Sequence, residues 1–399
     1  MERNKDYVNA YDALYKLSSS NEDQIDKIYQ DIKINLIETN VFPPSQMLAN
    51  IIDISKFNNR YFKSYWLIFK KIFEEYHLTE IKSNSTIFNY FVYKEYGIVL
   101  DDENKSDSEF GRYEDENYSL EVHEENTVYR AIMNDDKQSL IIYAERPGFD
   151  KDQSLKSEFY PFNAPNSLLE LCCYHGAVNC FKLLRSKFNS EITKKCLWNS
   201  FLGGNQEIMS ECLKIQSPDY ECMRYAIISH NVDFITFLMN EYEIAIDLYH
   251  CGYYNNLQAF LIYLDQTLDM HKCLVYSPLF NIPSLVEYLI AHDAEINTKD
   301  KYGFAALHYA TIKNSKEIIN ILIDHHANIN AKDINGGTAL HIATRNNNKD
   351  IAELLISNGI DINAKTNNGK TALKIAIENN YKEIEDLLIS HSTKVTKRS

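Results

Sequence analysis

The last third of the chain repeats itself every 33 residues, and no other feature limits its possible folds so tightly. The copies read NTKDKYGFAALHYATIKNSKEIINILIDHHANI (297–329), NAKDINGGTALHIATRNNNKDIAELLISNGIDI (330–362) and NAKTNNGKTALKIAIENNYKEIEDLLISHSTKV (363–395). A fixed period of this length specifies a stacked array, because one unit has too little apolar surface to close a core alone. Within a copy, Asp300-Lys301-Tyr302-Gly303 or Asp333-Ile334-Asn335-Gly336 makes a turn, with an Asx-type start and a glycine free to take positive φ. Thr338 and Thr371 then offer hydroxyls as N-caps. Leu307 and Ala310, with Leu340, Ala343, Leu373 and Ala376 in step, draw a narrow apolar face with a small residue where another helix must come close. Asn314, Asn347 and Asn380 fall at a break before a second helix, a position that favours the left-handed region.

These residues resemble the ankyrin repeat, whose pattern D-x-x-G-x-T-P-L-H-x-A precedes a leucine-rich second helix. The resemblance covers residues 297–395 and implies helix-turn-helix hairpins with short β-turn fingers. The departures are Ala306, Ala339 and Ala372 in place of the proline, Lys374 in place of the histidine present as His308 and His341, and Asn in place of the second glycine. Ala for Pro in a first helical turn removes a preset φ without a clash and costs at most about 1 kcal/mol. Lys374 and the loss of pattern after Ser392 suggest a capping copy with a wetted outer face.

Upstream, the landmarks recur in decayed hairpins. First-helix centres at Cys172, Ser200, Ala226, Cys251, Ser277, Ala310, Ala343 and Ala376 are spaced 28, 26, 25, 26, 33, 33 and 33 apart, so the earlier connections have lost most of the projecting fingers. Residues 127–296 are therefore expected to be degenerate hairpins, opening with TVYRAIMNDDKQSLIIY from Thr127. Residues 1–100 lack the repeat but are helical by period. Ile25, Ile28, Tyr29, Ile32 and Leu36 share a face after a capping signature at Ser20 and Asp23, and Phe57–His77 carries an aromatic stripe. This block resembles the helical leader ahead of degenerate ankyrin arrays in expanded families of certain unicellular eukaryotes, an uncharacterised domain class. Residues 101–126 hold eleven acids against two bases, a net −9 of the chain's −15, and are expected to be an exposed acidic loop or linker. Residues 396–399 read as a short basic tail. The predicted fold is all-α, an ankyrin-repeat solenoid preceded by a small helical domain.

Only 12 Gly and 8 Pro in 399 residues are too few turn formers for an all-β alternative. Eight cysteines without a hydrophobic leader point to a reducing interior, cytoplasmic or nuclear, and no run is long enough to span a membrane. The pairs Cys172-Cys173-x-His175 and His271-x-Cys273 lack zinc spacing, and cysteine on hairpin helices reads as a small core residue. No phosphate loop, serine elbow or zincin pair occurs, so neither an enzyme nor a cofactor is expected. The stripe at 57–77, interleaved with Lys63, Lys70 and Lys71, reads as core and not as a base-stacking surface.

What remains is protein binding. The resemblance implies a concave groove lined by finger tips and the exposed face of each first helix. In the first copy those positions are Lys301, Tyr302, Phe304, Ile312 and Lys313. The second copy supplies Ile334, Asn335, Arg345 and Asn346, and the third Asn367, Asn368, Lys370 and Glu378. Tyr302, Phe304 and Ile334 stand out as apolar residues on adjacent fingers. The tips carry more base than acid, which suits a partner with acidic segments. The expectation is a monomeric adaptor or scaffold for one or more proteins, without direct nucleic-acid contact or membrane insertion. The alternatives are a substrate-recruiting accessory subunit of an enzyme complex and a purely structural array.

Overall fold

The computed structural model describes residues 2–78, 85–99, 107–115, 118–161 and 164–396. The chain is an all-α repeat protein that divides into two units, residues 1–247 and 248–399. Its described strands are β1 (Ser154–Leu155) and β2 (Asn166–Ser167), which pair antiparallel.

The first unit begins with α1 (Glu2–Tyr15), α2 (Glu22–Ile32), α3 (Pro44–Ser55), α4 (Phe62–Glu75) and α5 (Thr86–Tyr96). The cap of α2 is Asn21 and not Ser20: its Oδ1 accepts from Asp23 N at 2.8 Å and Gln24 N at 3.3 Å. The stripe of α4 is core. Phe62, Trp66 and Phe69 are buried and meet Phe88 of α5 with ring centroids 5.0, 5.8 and 5.4 Å apart. The interleaved cations face acids, Lys63 pairing with Glu121 at 2.9 Å, Lys71 with Asp26 at 2.7 Å and Lys70 with Glu95.

Of the expected acidic loop or linker, residues 118–126 carry no helix or strand and expose Glu121, Glu124 and Glu125, yet parts of the stretch pack against the rest of the unit. Helix α6 (Asp107–Asp115) packs: Tyr113 is fully buried, and its hydroxyl and that of Thr86 converge on the Glu158 carboxylate beside Arg112. Tyr118 stacks on Phe159 at 5.4 Å, and Glu121 bonds Lys63 and Arg130. Aromatic residues spaced among the acids give this segment an apolar side, and basic partners take up some of its charge. Residues 101–106 and 116–117 of that stretch, and 397–399 of the basic tail, lie outside the described residues.

Four hairpins follow in the first unit: α7 (Val128–Met133) with α8 (Lys137–Ala144), α9 (Leu168–His175) with α10 (Val178–Phe188), α11 (Lys194–Gly203) with α12 (Gln206–Leu213), and α13 (Tyr220–Ile228) with α14 (Val232–Tyr242). Each turn uses one residue at positive φ, Asp135 (53°), Gly176 (65°), Gly204 (72°) and His230 (51°). The centres Cys172, Ser200 and Ala226 are buried. Gly203 lets α11 press on α9, since a Cβ there would lie 2.1 Å from Cys173 O.

The second unit holds five hairpins: α15 (Leu248–Tyr253) with α16 (Leu257–Thr267), α17 (Met270–Tyr276) with α18 (Pro283–Ala291), α19 (Ala306–Ile312) with α20 (Lys316–Asp324), α21 (Ala339–Arg345) with α22 (Lys349–Ser357), and α23 (Ala372–Glu378) with α24 (Lys382–Thr396). First helices stack on first helices, α17 to α19 to α21 to α23, and among the second helices α18 packs on α20 and α22 on α24. Asn255, Asn281, Asn314, Asn347 and Asn380 all take positive φ at the turns, and the small residues Cys251, Ser277, Ala310, Ala343 and Ala376 are fully buried where helices meet. All eight cysteines of the chain are buried, and none is in a disulfide.

Candidate partner-binding surface

In the first two clear repeats one Asp carboxylate fixes the finger from inside. Asp300 Oδ1 accepts from the amides of Tyr302 and Phe304, both at 2.8 Å. Asp333 Oδ1 accepts from Asn335 and Gly337, both at 2.7 Å. In the third copy Thr366 stands at that position, and its hydroxyl accepts from Lys370 N at 3.2 Å. Neighbouring fingers are then joined: Ile334 N donates to Tyr302 O at 3.0 Å, and Asn367 N to Asn335 O at 2.8 Å. Backbone bonds between fingers hold the tips in one arrangement before any partner arrives, which lowers the ordering cost of binding.

The histidines are part of the same scaffold. Ala305 N donates to His308 Nδ1 at 3.0 Å and Thr338 N to His341 Nδ1 at 3.1 Å. Their protons therefore sit on Nε2, which lies 3.1 Å from Ala331 O in one repeat and 3.1 Å from Lys370 O in the next. Burial pushes both imidazoles below their usual range. A neutral ring with both nitrogens engaged by backbone is a strut and not a general base. Thr338 and His341 close the start of α21 together, with Thr338 Oγ1 2.9 Å from the ring Nδ1. Thr371 caps α23 with its hydroxyl, at 3.2 Å from Lys374 N.

The structure separates the residues expected in the groove. Tyr302 and Ile334 on the tips are 51% and 59% exposed, and Ile312 at the end of α19 is 41% exposed. Lys301, Asn335, Arg345, Asn346, Asn367, Asn368 and Glu378 are also exposed. Lys313 is half-buried, as is Lys370, whose ammonium bonds Glu378 at 2.5 Å and holds that carboxyl below its usual range. Phe304 is not a tip residue. It is half-buried, with its ring 5.3 Å from His308 and 5.4 Å from Tyr309.

Sequence reasoning missed the aromatic column beside these fingers. Tyr309 donates to Asp300 Oδ2 at 2.6 Å, and its ring lies 5.4 Å from Tyr276 and 6.3 Å from Tyr249. Burial and the Asp300 carboxylate hold the Tyr309 phenol well above its usual range. Tyr249 and Tyr253 on α15 remain 39% and 49% exposed. The signal was present: Tyr253 follows Cys251 by the same two positions that separate Ile312 from Ala310.

The sequence model of ankyrin repeats (3 copies) matches residues 248–333, 271–366 and 332–399. Residues 248–399 are ankyrin repeats. A domain of unknown function, DUF3447, matches residues 188–263, and so falls on the degenerate hairpins and not on residues 1–100. No curated protein matches the chain. Ankyrin repeats are protein–protein interaction modules, and proteins built on them are generally non-enzymatic. Among the described residues no group of His, Cys, Asp and Glu could hold a metal, and no helix is long and apolar enough to cross a membrane.

Proposed function

We propose that the protein is a non-enzymatic adaptor or scaffold that grips a protein partner on the finger and first-helix face of residues 297–395. The observation that carries this reading is the placement of Tyr302, Ile312 and Ile334, three exposed apolar side chains on fingers and a helix whose backbones are joined. Exposed apolar groups on a rigid frame are the usual material of binding hot spots. Lys301 and Arg345 flank them, and Arg345 has no carboxylate partner among the described residues, which favours a partner segment bearing acidic side chains. A face of this extent buries roughly 600–1,000 Å² per partner, enough for a specific complex.

The test changes Tyr302, Ile312 and Ile334 to Ser together, then compares captured partners and melting temperature with the wild type. Loss of partners with unchanged melting supports the reading. Retention of the same partners overturns it.

A further inference from the structure

A second concavity lies wholly within residues 1–247, away from any finger. It encloses about 340 Å³ where the end of α1, the α3–α4 connection and the turns of three hairpins converge. That volume is at the lower end of the range for small-molecule sites. Its walls combine apolar surface from Leu17, Phe57 and Leu202 with polar groups, among them Lys16, Ser18 and Arg60. No aspartate or glutamate is among the lining residues, although the chain carries 56 acids against 41 Lys and Arg.

The two cations of the lining differ in their surroundings. Lys16 is matched by Asp12 at 2.8 Å, a carboxylate that also meets His230 Nδ1 at 2.9 Å. Arg60 has no carboxylate partner among the described residues. Its Nη2 donates to the carbonyl oxygen of His175 at 2.9 Å, while its buried Nε has no acceptor. A guanidinium cannot shed its proton to relieve such a position, and a part-buried charge without a counter-charge is unfavourable.

The surrounding bonds keep this cation in place. Asn59 donates from Nδ2 to Phe159 O at 3.0 Å, and the Tyr174 hydroxyl donates to Lys56 O at 2.5 Å, so the connection leading into Arg60 is tied at two points, to the segment before α9 and to α9 itself. His175 is held in turn by the Tyr160 hydroxyl, 2.9 Å from its Nε2 and 2.8 Å from Nε2 of His123. Burial keeps both imidazoles below their usual range, so neither supplies a competing positive charge near neutrality. The hydroxyls of Ser18 and Tyr61, which also line the cavity, have no protein hydrogen-bond partner among the described residues.

We propose that this cavity is a binding site for a small organic anion, whose carboxylate or phosphate group meets the Arg60 guanidinium while its apolar body lies against Leu17, Phe57 and Leu202. The anion supplies the counter-charge that the protein withholds. Ser18 and Tyr61 offer hydrogen bonds to its remaining oxygens, and planar oxyanions suit the guanidinium fork.

Calorimetric titration of the full chain with benzoate and with phenyl phosphate tests the assignment, with benzyl alcohol as the neutral counterpart. Saturable one-site binding of at least one anion is expected, and whichever binds tighter identifies the preferred acid group. Benzyl alcohol, Arg60→Met and Ser18→Glu should each weaken binding at least about tenfold. Ser18 is exposed and makes no hydrogen bond that the substitution removes, so Ser18→Glu places a competing carboxylate at the cavity even if Arg60→Met fails to fold. Failure of both anions to saturate at millimolar concentration overturns the proposal. So does undiminished binding by Ser18→Glu.

Discussion

His308 Nε2 lies 3.1 Å from the carbonyl oxygen of Ala331, one repeat further along the chain. Because Nδ1 of the same ring accepts from Ala305 N at 3.0 Å, one side chain closes its own helix start and fastens the next finger. Replacing His308 by Ala therefore leaves a buried donor and a buried acceptor unmatched. A loss of roughly 2 kcal/mol is expected, and likewise for His341→Ala. Lys374→Ala, at the exposed equivalent in the third copy, should stay within about 0.5 kcal/mol. Urea unfolding of the full chain, combined with hydrogen exchange at the Ile334 and Asn367 amides, measures both. Equal effects at all three positions would refute the strut role.

The same histidines make stability depend on acidity. Burial lowers His308 and His341, and brings His123 down to about 4. An unfolded histidine takes up its proton near pH 6.5, while the folded one resists until lower pH, so the unfolded state binds more protons in the interval. Stability is then complete above about pH 6.5 and declines as pH falls. For His123 the decline runs to about pH 4 and amounts to no more than about 3 kcal/mol. Melting temperature followed downward from neutral pH should be flat and then fall. A constant value between about pH 7 and 5 would contradict the assignment.

How much could be read in advance depended on repetition. Asn314, Asn347 and Asn380 recur at one offset, so their left-handed turn was legible three times over, and all take positive φ. The eight expected first-helix centres, from Cys172 to Ala376, are all buried. The packed part of the acidic stretch was missed because composition was averaged over it. Tyr113 and Tyr118 meet Glu158 and Phe159, some forty residues further on, and no local pattern announces those partners. Phe304 was misplaced for a different reason: a repeat register assigns a position to a finger but does not say whether its side chain turns outward. The cavity at Arg60 had no sequence signal, since its walls come from segments that are distant in the chain and carry no shared motif.

Phe304 and Tyr302 stand two residues apart and should respond oppositely to the same change. Phe304→Ser removes a half-buried ring from His308 and Tyr309, and is expected to cost about 2 kcal/mol. Tyr302→Ser takes away a ring that is 51% exposed, and should leave stability within about 0.5 kcal/mol while weakening partner capture. Scanning calorimetry and a binding assay on the two single variants separate frame from contact. If Tyr302→Ser melts as early as Phe304→Ser, the tip is structural and the groove reading loses its strongest residue.

Gly203 and Gly204 are adjacent, yet the structure needs each for a different reason. A Cβ on Gly203 would stand 2.1 Å from Cys173 O and 2.7 Å from Gly176 N, both backbone atoms that cannot swing aside. Gly203→Ala must therefore push α11 off α9, and a loss above about 3 kcal/mol is expected. Gly204 has open space around it and is constrained only by its φ of 72°. Gly204→Ala should cost about 1 kcal/mol, and Gly204→Asn less, since Asn tolerates the left-handed region as it does at Asn314. Circular-dichroism melts of the three variants give the order. If Gly204→Ala proved as damaging as Gly203→Ala, backbone conformation and not helix approach would be the limiting factor at this turn.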